Sequence, residues 1–287
     1  MKFGDIMTAM VTPFNENDEI DFGATEKLVE HLIATGTEGL IIAGTTGESP
    51  TLTMEEQIEL FKFVVKQVDG RIPVIAGAGS NNTKEAIHLT KNAEAAGVDG
   101  IMTVVPYYNK PSQAGLYEHF KTIAASTKLP IMLYNIPGRS SVNMSVDTIV
   151  ELSKIENIVS VKEASADLDA MADIIQRTDE DFTLYSGDDG LTLPVLSIGG
   201  QGVVSVSAHV IGTEMKEMVH AFKEGNVKKA ADLHRQLLPT MNAMFSAPSP
   251  TPVKAALEMI GIPVGDVRLP LVSLTEEELE FVRKHVK

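Results

Sequence analysis

Short apolar, β-branched runs alternate with longer stretches of helical period along most of the chain, and no other feature restricts the fold as much. Strands are expected at 6–12, 39–43, 74–76, 100–104, 131–135, 158–162, 183–186 and 202–205. Helices are expected near 23–35, 54–68, 84–96, 113–126, 146–154, 168–177, 189–198 and 212–223. Strands separated by helices pair most simply in parallel, because the chain crosses over before it returns. The runs are almost continuously apolar, so the sheet is covered on its outer face as well. Eight such units predict an α/β fold, a (β/α)8 TIM barrel. Thr53 with Glu56, and Thr275 with Glu278, read as capping boxes that start helices. Residues 1–224 are read as the barrel and 225–287 as a small C-terminal helical extension, interrupted at 246–252 and 261–270.

The 287 residues are 44% hydrophobic, enough for one large core, and a barrel of roughly 250 residues is an ordinary single domain. Cysteine is absent, which excludes disulfides and thiolate metal sites and suits a reducing compartment. Met1-Lys2-Phe3-Gly4-Asp5 lacks the basic and apolar regions of a signal peptide, and the apolar runs fall far short of the ~20 residues of a membrane helix. A formal net charge of −15 opposes binding to nucleic acid and to anionic membrane surfaces. The expectation is a soluble, cytoplasmic globular protein, with small anionic substrates still open.

Barrel enzymes place their chemistry at the C-terminal ends of the strands, where Tyr134 and Lys162 fall. Strict alternation along Ile158-Val159-Ser160-Val161-Lys162 sends Ile158, Ser160 and Lys162 inward if Val159 and Val161 pack outward on helices. Met132 and Tyr134 share a face on the fifth strand by the same rule. A lysine held away from water at such a mouth is a nucleophile for a carbonyl, which points to imine chemistry. Gly44-Thr45-Thr46-Gly47-Glu48, directly after the second strand, offers two hydroxyls and main-chain amides as a cradle for a carboxylate or oxyanion. It lacks the Gly-Lys-Ser/Thr of a nucleotide-binding loop.

Pro106-Tyr107-Tyr108-Asn109-Lys110-Pro111 follows the fourth strand and reads either as a packed aromatic corner or as part of the site. Arg139, just past Tyr134, can hold a substrate carboxylate in two hydrogen bonds. Gly199-Gly200-Gln201-Gly202 precedes the eighth strand and is read as a structural turn on the opposite face. Asp188-Asp189 has no histidine nearby in sequence, and the seven histidines show no ligand spacing, so no metal is expected.

On these clusters the chain resembles the pyruvate-dependent class I lyase family, which contains N-acetylneuraminate lyase and dihydrodipicolinate synthase. The resemblance runs from Ala9-Met10-Val11-Thr12-Pro13-Phe14 to Arg268-Leu269-Pro270, with Val161-Lys162-Glu163-Ala164 among its motifs. Arg139 together with Tyr108 places it with the dihydrodipicolinate synthase branch rather than with lyases of sugar acids. The resemblance implies that Lys162 forms an imine with pyruvate, whose enamine adds to aspartate semialdehyde on the route to diaminopimelate and lysine, and that no cofactor is needed. It implies a proton relay of Tyr134, Thr45 and Tyr108, with Tyr108 reaching in from a neighbouring subunit. Thr46 and adjacent amides would hold the pyruvate carboxylate, Arg139 the carboxylate of the semialdehyde, and the main chain at Gly187 and Val204 would shape the pocket. The family implies a homo-oligomer, at least a dimer and commonly a tetramer.

Relatives inhibited by lysine bind it in an interface cleft, and Ser49, Asn81, Glu85 and Tyr107 match that set. This chain departs at Met54 and Gln57, where sensitive members often carry histidines, or another aromatic at the first, so weak or absent inhibition is expected. Two other readings compete: a sister lyase acting on a sugar acid or 2-keto-3-deoxy acid, and a barrel that only binds. Intact Lys162, Tyr134 and Thr45 argue against the latter.

Overall fold

Each apolar run pairs in parallel with the runs before and after it. A computed structural model describes residues 3–286; Met1 and Lys2, part of the N-terminal expectation above, lie outside the described residues. The strands are β1 (Ile6–Ala9), β2 (Gly39–Ile42), β3 (Val74–Gly77), β4 (Gly100–Val104), β5 (Ile131–Asn135), β6 (Ile158–Glu163), β7 (Thr183–Ser186) and β8 (Gly202–Ser205). They close into a barrel in chain order, with β1 bonded to both β2 and β8. The expected TIM barrel is the fold.

Among the described residues nine helices flank the barrel: α1 (Phe22–Ala34), α2 (Met54–Val68), α3 (Thr83–Ala96), α4 (Gln113–Ala124), α5 (Pro137–Ser140), α6 (Val146–Ser153), α7 (Leu168–Arg177), α8 (Thr192–Ser197) and α9 (Ala208–Lys223). After the barrel come α10 (Val227–Ala243), α11 (Thr251–Met259) and α12 (Glu276–His285). Small polar side chains start many of them: Asp21, Asn82, Ser112, Ser145 and Asp167 each accept a hydrogen bond from the first turn. Both expected capping boxes form, at the starts of α2 and α12. Among the described residues no helix is long and apolar enough to cross a membrane.

Four expectations shift. β1 stops at Ala9 rather than at 12, because the Val11 N–H leaves the sheet and donates to His209 Nε2 at 3.2 Å. The helix expected at 189–198 is a 3-10 turn at Asp189–Leu191 followed by α8. The helix expected from 212 begins at Ala208, and a non-helical Ile211 (φ −129°, ψ 33°) kinks it where the periodicity starts. Thr251 and Pro252, placed in a break, open α11, where proline costs no hydrogen bond.

The strands present two faces. Met7, Ile41, Ile75, Met102, Met132 and Tyr185 fill the barrel interior. Leu40, Ile42, Val74, Ile101, Leu133 and Leu184 pack outward under the helices. β6 breaks strict alternation: Ile131 pairs with Ile158 but Met132 with Ser160, so Val159 is an extra residue. Ile158 packs outward and Val159 against the interior, the reverse of the expectation. Beyond the bulge the expected phase holds, with Val161 outward and Ser160 and Lys162 in register with inward neighbours.

Candidate active site

Tyr134 of β5, Lys162 of β6 and Tyr185 of β7 stand side by side in the register, so all three point into the barrel. Lys162 is only 5% exposed, and its Nζ lies 4.1 Å from the centroid of the Tyr134 ring. Gly187, just past β7, continues the ladder by donating its N–H to the Glu163 carbonyl at 2.7 Å. A Cβ there would stand 3.2 Å from Lys162 Cε and 2.7 Å from Ala164 Cβ, so the absent side chain makes room for the lysine. Val204 of β8 is buried in the interior in register with Met7.

The loop after β2 is a tight turn. The Glu48 N–H donates to the Thr45 carbonyl at 3.1 Å, and the Ser49 N–H to the Gly44 carbonyl at 3.2 Å. Ala43 (φ 49°) and Glu48 (φ 55°) hold left-handed backbone at its two ends, a strain that tight functional loops store. A Cβ at Gly47 would come within 3.1 Å of the Ala43 main chain. Thr12 Oγ1 donates to the Gly47 carbonyl at 2.6 Å, tying the loop to the segment after β1. Thr46 is buried, and Glu48 turns back to an ion pair with Lys254 of α11.

A cavity of about 450 Å³ opens at this end of the barrel. Thr45, Val104, Ile136 and Arg139 line one part, and Ser49, Met54, Gln57, Glu85 and Tyr107 another. A small void of about 30 Å³ shares Thr45, Gly77 and Val104 with it and reaches Tyr134, with room for a water molecule. The structure therefore gathers Thr45, Tyr134, Lys162, Arg139 and Gly187 at one mouth. Arg139 projects from the short α5, and its guanidinium makes no ion pair among the described residues. Tyr108 stands apart: it is 88% exposed, has φ 71° and does not line the cavity of its own chain.

Of the residues matched to a regulatory cleft, Ser49, Glu85 and Tyr107 line the cavity. Asn81 does not, but its Nδ2 donates to the Tyr107 carbonyl at 3.1 Å and braces that turn. Gln57 Nε2 is turned to the carbonyls of Ser49 and Leu52, both at 3.4 Å, and Met54 adds apolar wall.

Several residues that hold this geometry escaped the sequence reading. Asn135 Nδ2 donates to Glu163 Oε2 at 2.9 Å and to Asn143 Oδ1 at 2.8 Å, while its Oδ1 accepts from the Met144 N–H at 3.0 Å. These bonds tie both ends of the Arg139 loop to β5 and β6. Burial pushes the Glu163 carboxyl above its ordinary range. Asp189 is fully buried and accepts from Val206 N, Ser207 N and Ser207 Oγ, which braces the end of β8; burial raises its carboxyl as well. Glu163 lies in the Val161–Ala164 motif and Asp189 in the Asp188-Asp189 pair, yet neither pattern signals a bracing role. Among the described residues no cluster of three or more metal-ligating side chains forms. Gly199 (φ 102°) turns the chain after α8, and Gly202 opens β8 against the Asp5 main chain at the far end of the barrel.

The model of the dihydrodipicolinate synthetase family matches residues 2–287. A relative from Oceanobacillus iheyensis named 4-hydroxy-tetrahydrodipicolinate synthase is 59% identical over 280 residues, 98% of this chain and 95% of that one. The crystal structure of a dihydrodipicolinate synthase from Bacillus anthracis is 58% identical, covers 99% of this chain and 98% of its own, and superposes with a TM-score of 0.98. One from Cyanidioschyzon merolae, solved with lysine bound, is 48% identical over 99% of this chain and 97% of its own, with a TM-score of 0.97.

Proposed function

We infer that this chain, which belongs to the dihydrodipicolinate synthetase family, is a 4-hydroxy-tetrahydrodipicolinate synthase: it condenses pyruvate with L-aspartate 4-semialdehyde through a lysine imine, the entry step to diaminopimelate and lysine. The observation that carries the residue assignment is the register that sets Lys162 beside Tyr134 inside the barrel, below a cavity bordered by Thr45 and Arg139. The Lys162 amine adds to C2 of pyruvate, and water leaves as the imine forms. A proton lost from the methyl carbon gives the enamine, whose carbon attacks the aldehyde. The amino group of the semialdehyde then adds to C2 and expels the Lys162 amine, closing the ring. The imine supplies the electron sink for each step.

Tyr134, Thr45 and a partner's copy of Tyr108 carry protons to and from the imine and its precursors, Tyr134 acting as general acid and base away from bulk water. Thr46 and neighbouring amides hold the pyruvate carboxylate, and Arg139, at the cavity edge, holds the semialdehyde carboxylate. The main chain at Gly187 and Val204 shapes the pocket around the lysine. The 88% exposure of Tyr108 supports a site completed by a second subunit, hence a homo-oligomer that is at least a dimer and, by family habit, a tetramer. Residues 1–224 act as the catalytic barrel and 225–287 as its extension, in the cytoplasm. Ser49, Asn81, Glu85 and Tyr107 are the remnant of a lysine-binding cleft weakened by Met54 and Gln57.

The test is enzyme-dependent condensation of pyruvate with aspartate semialdehyde, run beside cleavage of N-acetylneuraminate. Condensation without cleavage is expected. Cleavage without condensation would retain the Lys162 imine and make the chain a sugar-acid lyase.

A further inference from the structure

The turn after β2 carries its two threonines on one side and a buried carboxylate on the other. Glu48 is 2% exposed, and its carboxylate pairs at 2.8 Å with Lys254 of α11, itself 3% exposed. It also accepts from the main-chain N–H of Arg268 at 2.9 Å. Lys254 Nζ donates in addition to the Asp266 carbonyl at 2.7 Å and lies 4.3 Å from the centroid of the Phe14 ring. The Arg268 guanidinium lies 4.2 Å from the same ring and reaches the Thr51 carbonyl at 2.8 Å and Glu56 at 2.6 Å. Three points on the chain leaving the cradle, at residues 48, 51 and 56, are thus gripped by residues of the C-terminal extension.

Neither Glu48 nor Lys254 borders the cavity, and the two Glu48 carboxylate oxygens are engaged by Lys254 and by the Arg268 N–H. An ion pair with both partners out of water is seldom a better source of stability than apolar packing of the same volume. Its location is more informative. The same residue whose side chain is gripped donates its N–H to the Thr45 carbonyl, so displacement of Glu48 is passed directly to the cradle.

We propose that Glu48 and Lys254 are positioning residues, through which the C-terminal extension holds Thr45 and Thr46 in the arrangement that receives the carboxylate of an α-keto acid. The extension then belongs to the active site's supporting structure. This rests on the pyruvate-imine reading above, and the readout keeps the two apart.

Borohydride traps the imine at Lys162, and the pyruvate concentration that gives half-maximal trapping reports on the cradle without the second substrate. Lys254→Met should raise that concentration at least about tenfold, the size of one well-directed hydrogen bond lost. The double variant Glu48→Leu, Lys254→Met removes both charges and should recover the parent's urea midpoint. Its half-saturating pyruvate should stay raised, since neither Lys254 nor the Arg268 N–H then holds the side chain at position 48. A double variant that recovers both stability and pyruvate binding would make the pair merely structural and overturn the proposal. If Lys254→Met does not fold, Glu48→Gln serves, because it keeps the shape and the Arg268 contact while weakening the pair. It should raise half-saturating pyruvate several-fold, and a value within about twofold of the parent would overturn the proposal. A parent chain that traps no pyruvate at Lys162 would overturn the imine reading itself.

Discussion

Adding one methyl group at Gly187 tests how closely the lysine is held. The Cβ of Gly187→Ala would meet Ala164 Cβ at 2.7 Å, the Glu163 carbonyl at 3.2 Å and Lys162 Cε at 3.2 Å. Carbon atoms pack best at about 3.5–4.0 Å, so the neighbours must retreat by roughly 1 Å in all. Glu163 and Ala164 are held in the ladder by Gly187 N and Asn135 O, and the flexible lysine stem yields most readily. Overpacking of this size costs about 1–3 kcal/mol of stability, which a 287-residue barrel with this core tolerates. The reactive amine pays more, since displacement by about 1 Å costs on the order of 10²-fold in rate. The assay is the initial rate of borohydride trapping at saturating pyruvate, with the adduct located by peptide mass, beside the thermal midpoint. A folded Gly187→Ala protein that traps pyruvate at the parent's rate would refute the argument, and with it the claim that this glycine makes room for Lys162.

Tyr134→Phe should keep the trapped adduct but slow condensation by roughly 10²–10⁴-fold, as expected for lost proton transfer; full activity would rule out the relay. Mixing inactive Tyr108→Phe and Lys162→Ala protomers should restore activity through hybrid sites, and no recovery despite demonstrated subunit exchange would place Tyr108 within its own chain. Lysine should inhibit weakly or not at all, because Met54 offers no polar group and Gln57 Nε2 is turned to its own main chain; complete inhibition at sub-millimolar lysine would contradict this. Burial holds the imidazoles of His119 and His209 down at about 4, against an ordinary 6.5. The unfolded chain takes up protons that the fold refuses, so their contribution is complete above about pH 6.5 and is lost as pH falls towards 4, about 2 kcal/mol for each by pH 5. The raised Glu163 and Asp189 act in the opposite sense, so the difference between variants is the useful quantity. His119→Gln should lower the loss of urea stability between about pH 7.5 and 5 by about 2 kcal/mol, and an unchanged loss would refute it.

The barrel was legible because its evidence is local and repeated: apolar runs of strand length, polar caps such as Thr53 with Glu56, and helical periodicity between them. Where local signals are thin, distant contacts decide the element ends. The first turn of α9, Ala208–Ile211, precedes a kink and carries no clean period, and β1 ends early because His209, far away in sequence, captures the Val11 N–H. The site was legible where chemistry needs unusual residues at strand ends, as with Lys162, Tyr134, Thr45 and Arg139. Asn135, Glu163, Asp189 and Lys254 were not, because each acts by hydrogen bonds or charge across distant segments, and an isolated polar residue shows none of this in sequence.

The extra residue in β6 has a consequence for anyone who moves this chemistry elsewhere. A strand offers its side chains to the two faces by parity, odd to one and even to the other, and Val159 resets that count once between the foot of the strand and its catalytic end. Lys162 lies four positions past the outward-facing Ile158 and yet faces inward, because Val159 between them takes no place in the pairing. Delete Val159, and Ile158 and Ser160 keep their pairs with Ile131 and Met132, so regular alternation returns and Lys162 still faces inward. A lysine grafted onto the sixth strand of another barrel must therefore be counted from the catalytic end, because counting from the foot gives the wrong face.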